Sequence, residues 1–326
     1  MKKILLKISK IIICILVLIV LAILIGFILQ NTYYKKQFSM IKPYGEMVQV
    51  DNKKMHVYSM GNGKETIVIL PGWSDPLPSA DFGPLTRKLS GKYRVVTVDY
   101  FGVGFSDKTD KPRTCENYMN EIRTALNEAG IKPPYILMPH SISGIYSEYY
   151  ATKHPEEVKG LILLDSTITE LNEQTSEDEK EPYKFAQFVQ NIGLQSLEFS
   201  FTSQEALEEK EGFEISLKNG YTKKEIDDYK KYKSYCINDT IIRQAEGATD
   251  CIREVKDLPV PNDIPVLKII AKQTLDGSDD LSRQKKHINR LGKNAKYVVL
   301  DGNHYIYYNQ REEISRLTDN FVDNLK

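Results

Sequence analysis

From residue 45 onward the chain keeps returning to short apolar runs separated by amphipathic stretches, and few architectures accommodate that alternation. Residues 46–50 and 54–60 read as a strand pair, with Asp51-Asn52 between them as turn chemistry. Residues 66–70, 93–98, 135–138, 160–164, 266–271 and 297–300 read as further strands, several of them rich in Val and Ile. Between the strands, Tyr118, Ile122, Ala125 and Leu126 mark one apolar helix face at spacings of three and four. Residues 141–154 and 312–325 suit two more helices. Apolar strands alternating with helices predict an α/β fold, a mostly parallel sheet covered on both faces.

One stretch interrupts the alternation. Residues 166–261 contain no convincing strand; 170–214 is acidic and 218–233 is rich in Lys and Tyr. So long a piece inside a domain is not expected to be bare loop. It is expected to be a helical insertion over one end of the sheet, splitting the core into 45–165 and 262–326. The two charge runs are expected to be solvated faces.

The N-terminus obeys different rules. Residues 1–10 carry Lys2, Lys3, Lys7 and Lys10, and residues 11–29 carry no charge. About 19 residues at 1.5 Å rise reach roughly 28 Å, close to the hydrocarbon thickness of a bilayer. The apolar core is too long for a cleavable leader, and Phe27-Ile28-Leu29-Gln30 offers no small-x-small site. The expectation is an uncleaved transmembrane signal anchor at 11–29 after a basic flank, then a linker at 30–44 that opens with a Tyr33-Tyr34 interfacial pair. The preceding lysines favour a cytoplasmic N-terminus and an extracytoplasmic globular domain, with Lys35, Lys36 and Lys42 weighing against.

Composition excludes some partners. With 44 basic and 44 acidic residues the chain has no electrostatic footprint for nucleic acid. Its four cysteines, Cys14, Cys115, Cys236 and Cys251, show no metal-ligand spacing. Free buried thiols are the favoured reading, with a Cys236–Cys251 bridge as the alternative in an oxidising compartment.

Four local signals follow strand ends in order: Leu70-Pro71-Gly72-Trp73; the segment from Asp99 to Asp107; Pro139-His140-Ser141-Ile142-Ser143-Gly144; and Asp301-Gly302-Asn303-His304. A serine on a tight strand-to-helix turn has its hydroxyl lifted off the sheet and aimed at a substrate. Such a turn needs small residues two before and two after the serine. Here those are Pro139 and Ser143, in place of the glycines of G-x-S-x-G. By itself the string also suits a serine opening a helix.

The order of the signals resembles that of the α/β-hydrolase family, from about Met47 to Leu325. That order is oxyanion loop, D-x-x-G-x-G-x-S segment, nucleophile elbow, lid, acid and histidine. Asp99, Gly102, Gly104 and Ser106 match the second motif, with Phe101 replacing its usual arginine. The resemblance implies Ser141 as nucleophile, His304 as general base, and the backbone N–H groups of Trp73 and Ile142 as oxyanion donors. It implies no metal or organic cofactor. The acid stays open. Counting from Pro265, the usual position holds Thr274, with Asp276 two residues beyond and Asp279 and Asp280 in the same loop. Other relatives place the acid after the preceding strand, which here gives Asp165. Asp165 is slightly favoured and Asp276 is the alternative. His140 is expected to pack or hydrogen-bond, and His56, His154 and His287 to be surface or structural.

The implied activity is hydrolysis of a small-molecule carboxylic ester, less readily an amide, through an acyl-serine. A proline-releasing peptidase of the same fold and a non-catalytic binding protein are the alternatives.

Overall fold

The strands at the centre of the sheet are continuous apolar runs, and their alternate residues enter two separate cores. Val68, Leu70, Val96, Leu137, Leu161 and Leu163 face one core, while Ile67, Ile69, Val95, Ile136 and Ile162 face the other. Only a sheet covered on both sides buries both sets. The computed structural model describes residues 2–170, 180–208, 214–261, 263–275 and 281–325.

The eight strands are β1 (Glu46–Val50), β2 (Lys53–Met60), β3 (Thr66–Leu70), β4 (Arg94–Val98), β5 (Tyr135–Pro139), β6 (Val158–Leu164), β7 (Val266–Ala271) and β8 (Ala295–Leu300). They lie in the order β1-β2-β4-β3-β5-β6-β7-β8. β2 is antiparallel to both its neighbours, and from β4 onward every pairing is parallel. Asp51 and Asn52 both take positive φ, 49° and 61°, which closes the β1–β2 hairpin as its turn residues predict.

The helices are α1 (Lys2–Leu29), α2 (Lys35–Ser39), α3 (Pro78–Asp81), α4 (Gly83–Leu89), α5 (Cys115–Glu128), α6 (Ser143–Lys153), α7 (Lys180–Asn191), α8 (Leu194–Phe201), α9 (Gln204–Glu208), α10 (Lys223–Lys233), α11 (Asp239–Lys256), α12 (Lys272–Leu275), α13 (Leu281–Arg290) and α14 (Arg311–Asp323). The apolar stripe of α5, Tyr118, Ile122, Ala125 and Leu126, packs with α6 on one face of the sheet, and α4 and α14 cover the other.

Between β6 and β7 the described residues form helices and no strand, as expected. These helices sit across the C-terminal ends of the strands. The Trp73 indole donates to Ile241 O at 3.1 Å, Asn238 Nδ2 to Gly102 O at 2.8 Å, and Asn303 Nδ2 to Glu214 Oε1 at 2.9 Å. On α10 the 218–233 charge run splits by face. Tyr229 and Tyr232 are buried, Lys223 and Lys224 are exposed, and Lys233 is mostly withdrawn from water, which pulls its ammonium below the usual range. The expected all-solvated face therefore holds only for part of the run.

The N-terminal helix is long and apolar enough to cross a membrane, and its apolar side chains lie open, including Ile12, Leu16 and Val20. It does not end at residue 29. A wide π turn at Gln30–Tyr34 carries it into α2, so the stretch expected as a linker is helical through Ser39. The reason is docking. The Gln30 side chain is buried, donating to Ser234 O at 3.2 Å and accepting from Ser196 Oγ at 2.7 Å, while Phe38 packs against Tyr232 and Tyr235. All four cysteines are free thiols, and Cys251 lies beside Cys115 rather than Cys236.

A buried polar network fastens α6 to α13. His287 Nε2–H donates to Glu148 Oε1 at 2.8 Å, Lys268 Nζ donates to His287 Nδ1 at 2.9 Å, and Arg290 reaches Glu148 Oε2. Burial pushes the Glu148 carboxyl up, but His287 and Arg290 outweigh it and hold it below the usual range. Removing one partner of a buried charged set strands the others. Glu148→Ala is therefore expected to cost about 3–5 kcal/mol of stability, read as a lowered urea midpoint with an unchanged denaturant slope.

Candidate active site

The turn between β5 and α6 leaves little room, and its dihedrals show it. Ser141 takes φ 55°, a left-handed conformation that a non-glycine residue adopts at a cost of about 1–3 kcal/mol. The surrounding bonds over-determine it: Ser141 N–H donates to Leu164 O at 3.3 Å, Thr167 N–H to Ser141 O at 3.0 Å, and Gly144 N–H to Ser141 O at 3.0 Å. A Cβ on Gly144 would stand 2.5 Å from Ser166 Cβ, so the glycine after the motif takes up the crowding. A Cβ on Gly72 would stand 3.2 Å from Ser141 Cβ and 2.9 Å from His140 Nδ1, so the loop after β3 presses directly on the turn.

Ser143, where the family motif has its second glycine, uses its hydroxyl. It donates to Pro71 O and accepts from Tyr100 Oη at 2.7 Å. One side chain thus ties the serine turn, the Pro71-Gly72-Trp73 loop and the end of β4 together. Among the described residues, neither the Trp73 nor the Ile142 backbone N–H has an intramolecular acceptor.

Ser141, His304 and Asp165 come together. His304 Nε2 lies 3.0 Å from Ser141 Oγ, and His304 Nδ1 lies 2.7 Å from Asp165 Oδ2. A carboxylate only accepts, so Nδ1 carries the proton and Nε2 is free to accept from the serine. Asp165 is buried and has further donors: Ala271 N–H reaches Oδ1 at 2.8 Å and Thr274 Oγ1 reaches Oδ2 at 2.7 Å. Thr274, at the position where the resemblance looked for an acid, serves as a donor to the carboxylate that reaches the histidine. Asp276, Asp279 and Asp280 lie outside the described residues.

His140 packs and hydrogen-bonds, both roles together. Its ring is buried, lies 4.6 Å from the His304 ring, and donates from Nε2 to His304 O at 3.0 Å. Burial and the neighbouring His304 depress it to about 3. His56 and His287 are wholly buried structural residues. His56 Nδ1 pairs with Asp99 Oδ2 at 2.9 Å, and Asp99 also accepts from Phe105 N–H at 3.0 Å. Gly104, with φ 53°, passes so close to Asp99 that a Cβ would stand 2.1 Å from its Oδ2, which accounts for that glycine of the motif. His154, partly exposed, faces Glu156 at 3.4 Å.

Two residues at the site carry no sequence signal of their role. Asp81 accepts from Tyr307 and Tyr308, just past His304, and so anchors the histidine loop to α3. Tyr183 of α7 packs against Trp73 with ring centroids 4.9 Å apart.

A family model described as the alpha/beta hydrolase fold matches residues 65–310. The chain belongs to that family. It is a hydrolase by this membership. An uncharacterized protein of Bacillus subtilis (strain 168), YbdG, is 29% identical over 97% of each chain. A pimeloyl-[acyl-carrier protein] methyl ester esterase of Shewanella woodyi is 33% identical over 36% of this chain and 41% of its own length. Among solved structures, an epoxide hydrolase from Vigna radiata superposes with a TM-score of 0.66 at 16% identity, covering 85% of this chain and 97% of that one. A thermophilic esterase from Thermogutta terrifontis gives 0.59 at 16% identity, covering 86% and 98%. At these identities the solved structures establish the fold.

The hydrolase's buried His140 yields a sign. Its folded pKa lies below the unfolded value of about 6.5, so the unfolded chain binds the extra proton between them. Stability is fully present above that unfolded value and is lost as pH falls toward 3. His140→Gln keeps a donor for His304 O but cannot take up that proton. It is expected to flatten the stability–pH curve below pH 6.5 by about 1.4 kcal/mol per pH unit, measured by denaturant melts at stepped pH.

Proposed function

We propose that the protein is a serine hydrolase cleaving carboxylic esters through an acyl-serine intermediate, held at a membrane by α1. The observation that carries this reading is the hydrogen-bonded chain from Ser141 Oγ through His304 to Asp165, built on a serine at φ 55°.

In this reading His304 Nε2 takes the Ser141 proton as Oγ attacks the substrate carbonyl carbon. The carbonyl electrons move onto oxygen, and the free N–H groups of Trp73 and Ile142 hold that oxyanion. Asp165 keeps His304 in the required tautomer and offsets the imidazolium charge. Thr274 and Ala271 hold the carboxylate in place. As the tetrahedral species collapses, His304 gives its proton to the departing alkoxide, which leaves as alcohol. Water then enters, gives a proton to His304 and attacks the acyl-serine. The second collapse releases the acid and returns the proton to Ser141 Oγ. No step needs a metal or organic cofactor. The helices of 166–261 act as a lid over this site, touching the oxyanion loop through Tyr183 and Ile241, both against Trp73.

Four outcomes test the chemistry. A fluorophosphonate probe is expected to label wild type and not Ser141→Ala; a folded wild type that resists the probe would sink the proposal. Asp165→Asn is expected to lower kcat on a short-chain ester by about 10⁴-fold through loss of the required tautomer. Thr274→Val, which removes one charge-assisted bond, is expected to lower it by roughly ten-fold, while Asp276→Asn leaves turnover at the wild-type level.

The reading places the catalytic domain on the extracytoplasmic side, because lysines precede the apolar stretch of α1. Protease added to intact cells is expected to digest the domain, and full protection would reverse the orientation.

A further inference from the structure

Helices α7 and α8 expose several large apolar side chains. On α7, Gln187 donates to Asp239 Oδ1 at 3.1 Å, and buried Gln190 bonds the Ile237 backbone through both ends of its amide, at 2.8 and 2.9 Å. On α8, buried Ser196 bonds Gln30. These three polar side chains therefore face the protein. Four large apolar ones face outward: Phe185 is 67% exposed, Phe188 50%, Leu194 52% and Phe201 85%. Scattered exposed apolar residues need no explanation, but four large ones on two consecutive helices do.

Their position supplies the explanation. The Ile192-Gly193 turn between α7 and α8 packs backbone to backbone on Gly26 of α1. A Cβ on Gly26 would stand 2.3 Å from Ile192 O, and one on Gly193 would stand 2.9 Å from Gly26 O. Gly26 lies three residues inside the end of the apolar stretch, roughly 4.5 Å along the helix axis. If α1 crosses a bilayer, that contact puts the α7–α8 turn at the boundary between headgroups and acyl chains. The same junction holds a cleft of about 310 Å³ whose lining includes Asp227 beside Tyr33, Tyr34, Lys230 and Lys231, the last four suited to the headgroup layer.

We infer that α7 and α8 form a second, interfacial membrane contact, with Phe185, Phe188 and Leu194 in the outer edge of the acyl layer and Phe201 nearer the headgroups, next to the Ser200 that bonds Tyr34, and that the ester substrate is a membrane-resident acyl lipid. The inference rests on the anchored serine-hydrolase reading above. It deepens that reading through α7: one face of this helix meets the bilayer, while its Tyr183 touches the oxyanion-loop Trp73. A substrate rising out of the bilayer along α7 reaches the site without crossing bulk water. Peripheral contacts of this kind add to an anchor through buried apolar area.

The test uses the full chain reconstituted in phosphatidylcholine–phosphatidylglycerol vesicles. The double variant Phe185→Ser/Phe188→Ser is expected to keep wild-type probe labelling of Ser141 and wild-type turnover of a soluble short-chain ester. Its turnover of a long-chain acyl ester embedded in the vesicles is expected to fall at least about ten-fold as the interfacial contact weakens. Independently, Phe188→Trp is expected to add a blue-shifted emission that is quenched by lipids brominated near the top of the acyl chain. Unchanged turnover of the embedded ester overturns the substrate inference. Added emission at the wavelength of tryptophan in water, or cross-linking of the exposed phenylalanine face to a second copy of the chain, overturns the membrane contact. Failure of wild type to react with the probe is a different result, which refutes the serine chemistry while the quenching still decides the contact.

Discussion

The active-site geometry depends on the confinement of Ser141. A left-handed serine is costly alone and persists because its neighbours leave it no alternative. Gly72 presses from the loop after β3, Gly144 lets α6 close on Ser166, and three backbone bonds hold the turn from both sides. Ser143 and Pro139 stand where glycines would give more room, and neither is passive. Pro139 ends β5 opposite Leu70, and Ser143 converts its position into a bond to Pro71. The departure from the usual motif thus exchanges empty space for a tie between the Ser141 turn and the loop proposed to bind the oxyanion. Both elements then move as one body, which is what a preorganised site requires.

The carboxylate shows the same exchange. Two adjacent parallel strands, β6 and β7, end side by side, and either can deliver an acid to the histidine. Asp165 does so from β6, with positive φ of 40°, and the end of β7 contributes donors in its place. A buried carboxylate needs its lone pairs satisfied. Ala271 N–H, Thr274 hydroxyl and His304 Nδ1–H together do this. Exchanging acid and donor between neighbouring strand ends preserves the count of hydrogen bonds and the negative charge beside the imidazole.

This division explains what could be read from the chain before its structure. Strands were legible because central parallel strands are buried on both faces and so read as continuous Val/Ile/Leu runs. Ser141 and His304 were legible because each follows such a run at a strand end. The acid was not, because choosing between Asp165 and the β7 loop depends on which side chain spans a gap between strands. The Glu148–His287–Lys268 network is illegible for a related reason: burial partners far apart in sequence leave no periodic trace. Helix beyond residue 29 was missed because Gln30-Asn31-Thr32 is polar and reads as an exit from an apolar span. In the fold, Gln30 is instead a docking residue held by Ser196 and Ser234.

That docking gives the architecture its direction. The N-terminal helical run touches the insertion through Gly26 of α1, Gln30 and Tyr34 of the π turn and Phe38 of α2, so the apolar helix and the helices over the strand ends form one connected surface. The insertion in turn grips the loops at the strand ends through Trp73, Gly102 and Asn303. A flexible tether would leave the site free to face any direction. A helix continued through a π turn and pinned by a buried glutamine fixes the orientation of the strand ends, where Ser141 sits, relative to α1. The same constraint reaches α7 and α8: Gln187 and Gln190 bond Asp239 and Ile237 at the start of α11, and Ser196 bonds Gln30, so these helices are tied at once to α11 and to the N-terminal helix.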